Sequence, residues 1–152
     1  MVVGVRKLQL EHQEAWNSLP KPPQVKWLPP SGNFWKLNYD VAIRPSQTVI
    51  AVVCRKAVAE ILFVRTKSLP PRTPLVGEAK AALFAAQEAH FLSHEFVVFE
   101  GDNLAVAQAI NQPESPVEWS IRPVISDVLM LLELHSQRSF SPCDPKGKCC
   151  SS

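Results

Sequence analysis

Asp40, Glu78 and Asp102 are the residues of this chain whose chemistry stands out from their surroundings. Asp40 interrupts an apolar strand pattern, although strands disfavour aspartate. Glu78 sits near the start of a long alanine-rich helix, the end at which negative charge is favoured. Asp102 follows a short apolar strand and stands where a further helix begins. Acids that converge from separate elements suit a divalent-metal site, because hard cations take oxygen ligands. An arrangement of this kind can hold two ions for phosphoryl-transfer chemistry. Each acid also has a plainer reading: an exposed strand end for Asp40, a helix-dipole charge for Glu78 and an N-cap for Asp102.

The elements that must position these acids can be read along the chain. From Phe34 to Ile43 the residues alternate, with Trp35, Leu37, Tyr39, Val41 and Ile43 on one side and Lys36, Asn38 and Asp40 on the other. Thr48 to Cys54 reads as a second, well-buried strand, Arg55 to Ala59 as a turn, and Glu60 to Thr66 as a third strand. Short connections make these three an antiparallel meander. Thr73 is a candidate N-cap with Pro74 at the first helical position. The helix that follows should run to about Leu92, with Ala79, Ala82, Ala86 and Ala89 as its small face beside Leu75 and Leu83. Phe96 to Phe99 is a short fourth strand, ended by Glu100-Gly101-Asp102, and Asp102 is expected to cap a helix over Asn103 to Asn111. Ser120 should cap another helix, with Ile121, Val124, Ile125, Val128, Leu131 and Leu132 at the 3.6-residue period, ending near His135. Arg138 to Ser141 is a short fifth strand. A helix between strands three and four permits a parallel return beside the first strand. In mixed sheets ligands collect beyond the C-terminal ends of parallel strands, which is where Asp40 and Asp102 lie.

Other polar and aromatic residues have plainer readings. By alternation Glu100 points away from Asp102, and it is expected to be solvated. Asp127 reads as an exposed helix position. Ser120 lacks a His–acid pair and reads as a cap rather than a nucleophile. His90, His94 and His135 read as isolated surface residues. Trp27, Trp35 and Trp119 read as core or edge packing.

Residues 1–33 form a proline-rich extension, with a short helix expected over Leu8 to Leu19 and then Pro20, Pro22, Pro23, Pro29 and Pro30. The domain proper is expected over 34–141. Residues 142–152 read as a disordered tail carrying Cys143, Cys149 and Cys150, whose spacing matches no zinc pattern. Cys54 reads as a small buried hydrophobe. With 152 residues, 46% apolar and 20% charged, the chain is one domain's worth and can bury a real core. No apolar run reaches the ~18 residues of a membrane span, and the N-terminus carries no secretory pattern. An intracellular protein of nucleus or cytoplasm is therefore expected, without a membrane partner. The net charge of +2 is uninformative, and no run of Lys and Arg makes the basic stripe usual in a dedicated nucleic-acid binder. Nucleic-acid contact would rest on a few placed residues and would be salt-sensitive.

The element order and four motifs resemble the ribonuclease H fold, and more narrowly the plant reverse-transcriptase-like ribonuclease H domains derived from retroelements. The motifs are Trp35-Lys36-Leu37-Asn38-Tyr39-Asp40, Leu75-Val76-Gly77-Glu78-Ala79-Lys80-Ala81-Ala82, Glu100-Gly101-Asp102-Asn103-Leu104-Ala105-Val106 and Glu118-Trp119-Ser120-Ile121-Arg122-Pro123-Val124-Ile125-Ser126-Asp127. The resemblance covers roughly residues 26–141. The resemblance implies an α/β domain: a five-stranded mixed sheet, three antiparallel strands then parallel ones, flanked by helices. It implies that Asp40, Glu78 and Asp102 are catalytic and hold Mg2+, with Mn2+ as a substitute, for hydrolysis of the RNA strand of an RNA/DNA hybrid. Three departures accompany it. The family's last helix and fourth carboxylate have no counterpart: Ser141-Pro142 stands where Ser-His is expected, and Asp144 follows the strand too closely. Val41-Ala42 replaces the glycine many relatives carry after the first Asp. The turn Lys56-Ala57-Val58-Ala59 lacks the usual Asp and Gly. A C-terminally truncated domain is expected, and with it a second reading: a catalytically impaired retroelement remnant that only binds nucleic acid or protein.

Overall fold

The computed structural model describes residues 32–56 and 60–142. The helix expected over Leu8 to Leu19, the proline-rich linker with Trp27, the middle of the Lys56–Ala59 turn and Cys143, Cys149 and Cys150 lie outside the described residues.

Five strands make one mixed sheet: β1 (Trp35–Ile43), β2 (Thr48–Arg55), β3 (Ile61–Leu69), β4 (Val97–Gly101) and β5 (Arg138–Pro142), in the order β3-β2-β1-β4-β5. β1 to β3 form the expected antiparallel meander, while β4 lies parallel to β1 and β5 parallel to β4. The turn after β1 is closed by reciprocal Arg44–Gln47 backbone bonds. β3 runs three residues beyond its expected end at Thr66, because pairing with β2 continues to Thr48↔Leu69. β4 begins at Val97 rather than Phe96 and continues through Gly101, held by parallel partners on both sides.

Among the described residues three helices accompany the sheet: α1 (Pro74–His90), α2 (Leu104–Asn111) and α3 (Arg122–Glu133). α1 packs on β1, β2, β4 and α3, and α2 packs on β5 and α3. Alanine is the strongest helix former, and its small side chain lets the helix axis approach the sheet. Ala79, Ala82, Ala86 and Ala89 are buried as expected, and so are Gly77, Ala81 and Ala85. At Gly77 a Cβ would meet Ile43 Cδ1 at 2.9 Å and Val41 Cγ2 at 3.0 Å, so the first turns of α1 lie directly on the end of β1. Phe99, Leu37 and Ile50 are among the largest fully buried side chains. Burying each contributes roughly 1.5–3 kcal/mol. Cys54 is buried as expected, and burial pushes its thiol up to about 11.

Several cap and surface expectations change. Thr73 holds the N-cap position of α1 without a side-chain bond; its carbonyl instead accepts from Gly77 N–H. The cap of α2 is Asn103, whose Oδ1 accepts from Val106 N–H, and not Asp102. The helix begins one residue later than the sequence suggests, which leaves the Asp102 carboxylate outside the capping bond. Ser120 does not cap α3 either: its hydroxyl donates to Glu118, and Ile121 holds the N-cap position with its side chain in the core. Trp119 is 82% exposed rather than packed, because the inward positions at this corner are filled by Ile121 and Val124. The histidines are not isolated: His90 and His135 approach ring nitrogen to ring nitrogen at 3.3 Å, and His94 stacks on Trp35 at 4.3 Å.

Candidate metal centre

The parallel β1–β4 ladder ends at Asn38↔Glu100. Continuing that register by two residues sets Asp40 opposite Asp102, just where the strands stop pairing. α1 crosses β1 at this end and delivers Glu78 from its second turn. The three acids that the sequence singled out therefore meet: one carboxylate oxygen from each lies within 4.8 Å of the other two. Asp40 and Asp102 are exposed and Glu78 is half-buried, so the cluster opens to solvent and closes inward on the helix.

Its electrostatics are unbalanced. Among the described residues no cation pairs with any of the three acids. The Glu78 carboxyl is pushed up to about 7, first by burial, then by the negative charge of Asp102 and of Asp40. Its Oε2 is buried without a hydrogen-bond partner. Like charges held together, with an orphaned buried oxygen among them, are what a divalent cation would relieve, and three carboxylate donors are the chemistry it takes. These residues fit such an ion.

Tyr39 belongs to the same site, although the strand pattern set it only on the apolar side of β1. It is 4% exposed and its hydroxyl has no partner. Burial, then Glu78, then Asp102 hold that hydroxyl well above the usual tyrosine range, so it stays protonated and able to donate. Its ring packs beside Phe140 and directly against Gly101, where a Cβ would overlap the ring and come 2.6 Å from the hydroxyl oxygen. The signal in the sequence was local: a tyrosine directly before the strand acid, and a glycine directly before the loop acid.

Glu100 departs from expectation. It is 3% exposed, not solvated. Lys36 Nζ donates to its Oε1 at 2.7 Å, and Asn38 Nδ2 donates to its Oε2 at 2.9 Å. The expectation that alternation turns Glu100 away from Asp102 also fails: residues two apart in a strand share a face, and on that face the neighbouring parallel strand supplies a cation and an amide. Asp127 is exposed as expected. Among the described residues the acid cluster comprises Asp40, Glu78 and Asp102.

The sequence matches the model of the reverse transcriptase-like family over residues 38–141. No curated protein matches it. Among solved structures, RNase H1 from the halophilic archaeon Halobacterium salinarum is similar with a TM-score of 0.65 at 15% identity, over 72% of this chain and 84% of that one. LC11-RNase H1, isolated from compost and solved in complex with an RNA/DNA hybrid, gives 0.63 at 13% identity, over 71% and 83%. The N-terminal RNase H domain of a Mycobacterium tuberculosis protein, solved as a fusion with maltose-binding protein, gives 0.63 at 12% identity, over 76% and 86%. The five-stranded mixed sheet with its helices is the ribonuclease H fold.

Proposed function

We propose that this chain, which belongs to the reverse transcriptase-like family, binds nucleic acid and hydrolyses the RNA strand of RNA/DNA hybrids at a magnesium site made by Asp40, Glu78 and Asp102. The observation that carries this reading is the meeting of three carboxylates, from β1, α1 and the end of β4, within 4.8 Å. The solved complex of LC11-RNase H1 with an RNA/DNA hybrid supports the substrate class. Manganese would serve in place of magnesium, since it also takes oxygen ligands.

Bound divalent ions would supply the chemistry, making a water nucleophilic near neutral pH and stabilising the leaving oxygen of an in-line displacement. The side chains do the rest. Asp40 and Asp102 present exposed oxygens to the incoming phosphodiester side. Glu78 holds its proton up to about pH 7 and must release it to act as a ligand. The Tyr39 hydroxyl, buried without a partner and kept protonated beside Glu78 and Asp102, would be a donor to the site once it is occupied. In an RNA/DNA hybrid the 2′-hydroxyl is what tells the two strands apart.

A second reading is favoured by one observation: three acids, and no fourth among the described residues, make up the cluster. On this reading the domain is a retroelement-derived remnant that binds nucleic acid or a protein without cutting. Cleavage of a labelled RNA/DNA hybrid, with magnesium and then manganese, separates the two. Cutting by the wild type and not by Asp102→Asn is the expected result. A folded wild type that leaves the hybrid intact in both metals overturns the hydrolase reading and leaves the binding one.

A further inference from the structure

A second feature lies on the other flank of α1. Lys80 follows Glu78 by two residues, a rotation of about 200° around the helix axis. It therefore points away from the acid cluster, towards the edge strand β3. There it joins Lys67 of β3 and Arg72 of the loop before α1 around a cleft of about 210 Å³. Ile50 and Phe84 line the apolar part of the cleft, and Gln87 adds an amide. The Lys67 ammonium lies 5.9 Å from the Phe84 ring centroid, and the Arg72 backbone N–H donates to the buried Thr48 hydroxyl at 3.0 Å. The Lys67 ammonium thus has an aromatic neighbour, and the backbone that carries Arg72 is tied to β2.

What sets these cations apart is the lack of acids. Arg65, one step along the same face of β3, lies 3.8 Å from Glu88. Lys67, Arg72 and Lys80 have no acidic partner among the described residues. A lysine on an edge strand is often a guard against edge-to-edge pairing. That accounts for Lys67 alone, and not for two further cations brought to the same cleft by a loop and a helix. Converging cations with an amide donor recognise a phosphate. The apolar lining supports the stems of the lysines and the sugar of a nucleotide.

We propose that this cleft binds a backbone phosphate of the nucleic acid, away from the bond cut at the acid cluster. The proposal rests on the nucleic-acid-binding reading above and names where part of that affinity arises. α1 is about 10–12 Å across with its side chains. A nucleic acid laid over the start of the helix reaches the acids on one flank and the cations on the other.

The test is hybrid binding by fluorescence anisotropy in EDTA, over a series of salt concentrations, so that neither metal nor cleavage enters. The proteins are wild type, the double variant Lys67→Gln, Lys80→Gln, and Lys56→Gln, which removes a lysine remote from the cleft. The double variant should bind about 10-fold more weakly near 0.1 M salt. Its plot of log K against log salt should flatten by about 1 for each phosphate that the variant no longer neutralises. Lys56→Gln should match the wild type, and all three should melt alike. Repeating the titration with neutral methylphosphonate linkages in the DNA strand assigns the strand: the deficit disappears if the cleft holds a DNA phosphate and persists if it holds an RNA phosphate. A double variant with the affinity and slope of Lys56→Gln overturns the cleft proposal while leaving nucleic-acid binding intact. A wild type that binds no hybrid overturns both.

Discussion

β1 and β4 carry two polar clusters side by side, and they are opposites. Lys36, Asn38 and Glu100 lie where the two strands are still paired; Asp40 and Asp102 lie immediately past the last pair. In the first cluster a carboxylate is buried against an ammonium and an amide, at 2.7 and 2.9 Å. In the second, three carboxylates face one another with no cation among the described residues, and a buried oxygen and a buried hydroxyl go unpartnered. One cluster is balanced in charge, with the Asn38 Oδ1 as its unpartnered atom, and it ties β1 to β4. The other is incomplete until something positive arrives. The change from a paired to an unpaired cluster falls within two residues on each strand.

The largest expected effect separates the two clusters by stability. Glu100→Ala should cost about 3 kcal/mol in urea unfolding, with or without metal, because it strands a buried ammonium. The double variant Lys36→Met, Glu100→Leu should recover most of that loss, since a buried pair replaced by apolar groups is often neutral. Next, saturating magnesium or manganese should stabilise the wild type by about 2.7 kcal/mol at a hundred times its dissociation constant. Asp102→Asn should abolish that gain while leaving the metal-free protein folded. Equal metal stabilisation of wild type and Asp102→Asn would place the ion elsewhere.

Gly101→Ala should cost about 2 kcal/mol by overpacking, since its Cβ would overlap the Tyr39 ring. A Tyr39→Val second change should relieve it, and an additive loss in the pair would mean the clash is not the cause. A smaller effect depends on pH. The Glu78 carboxyl titrates near 7 in the folded protein and near 4.5 otherwise. The folded state therefore binds the extra proton across that window, and the metal-free protein should lose stability as pH rises from about 4.5 to 7. A divalent ion must displace that proton, so stabilisation by metal should grow over the same window. Asp102→Asn should move the window lower, and Asp40→Asn should move it less. Metal-free melting that rises steadily from pH 5 to 7 would contradict the assignment to Glu78. The smallest effect is that of Tyr39→Phe. The metal-free protein should melt at or above the wild type, because an unpartnered buried hydroxyl is removed, while its magnesium affinity should fall. Unchanged affinity would make Tyr39 a packing residue only.

The three acids, the order of strands and helices and the small face of α1 were all legible before any folding was considered. Each is written in local pattern: alternation in β1, the alanine spacing of α1, the short apolar run before Gly101-Asp102. Period two sets Glu100 on the same side as Asp102, not on the opposite side expected for it. It did not say what that face would meet, since Lys36 and Asn38 come from another strand through parallel pairing. Caps were ambiguous for a related reason: Asp102 and Asn103 are both good N-caps, and only the end of β4 decided that Asn103 takes the bond. The burial of the Tyr39 hydroxyl, the raised affinity of Glu78 for its proton and the meeting of Lys67, Arg72 and Lys80 belong wholly to the tertiary structure. Charge and solvation at those sites depend on residues distant in the chain, which composition and spacing do not encode.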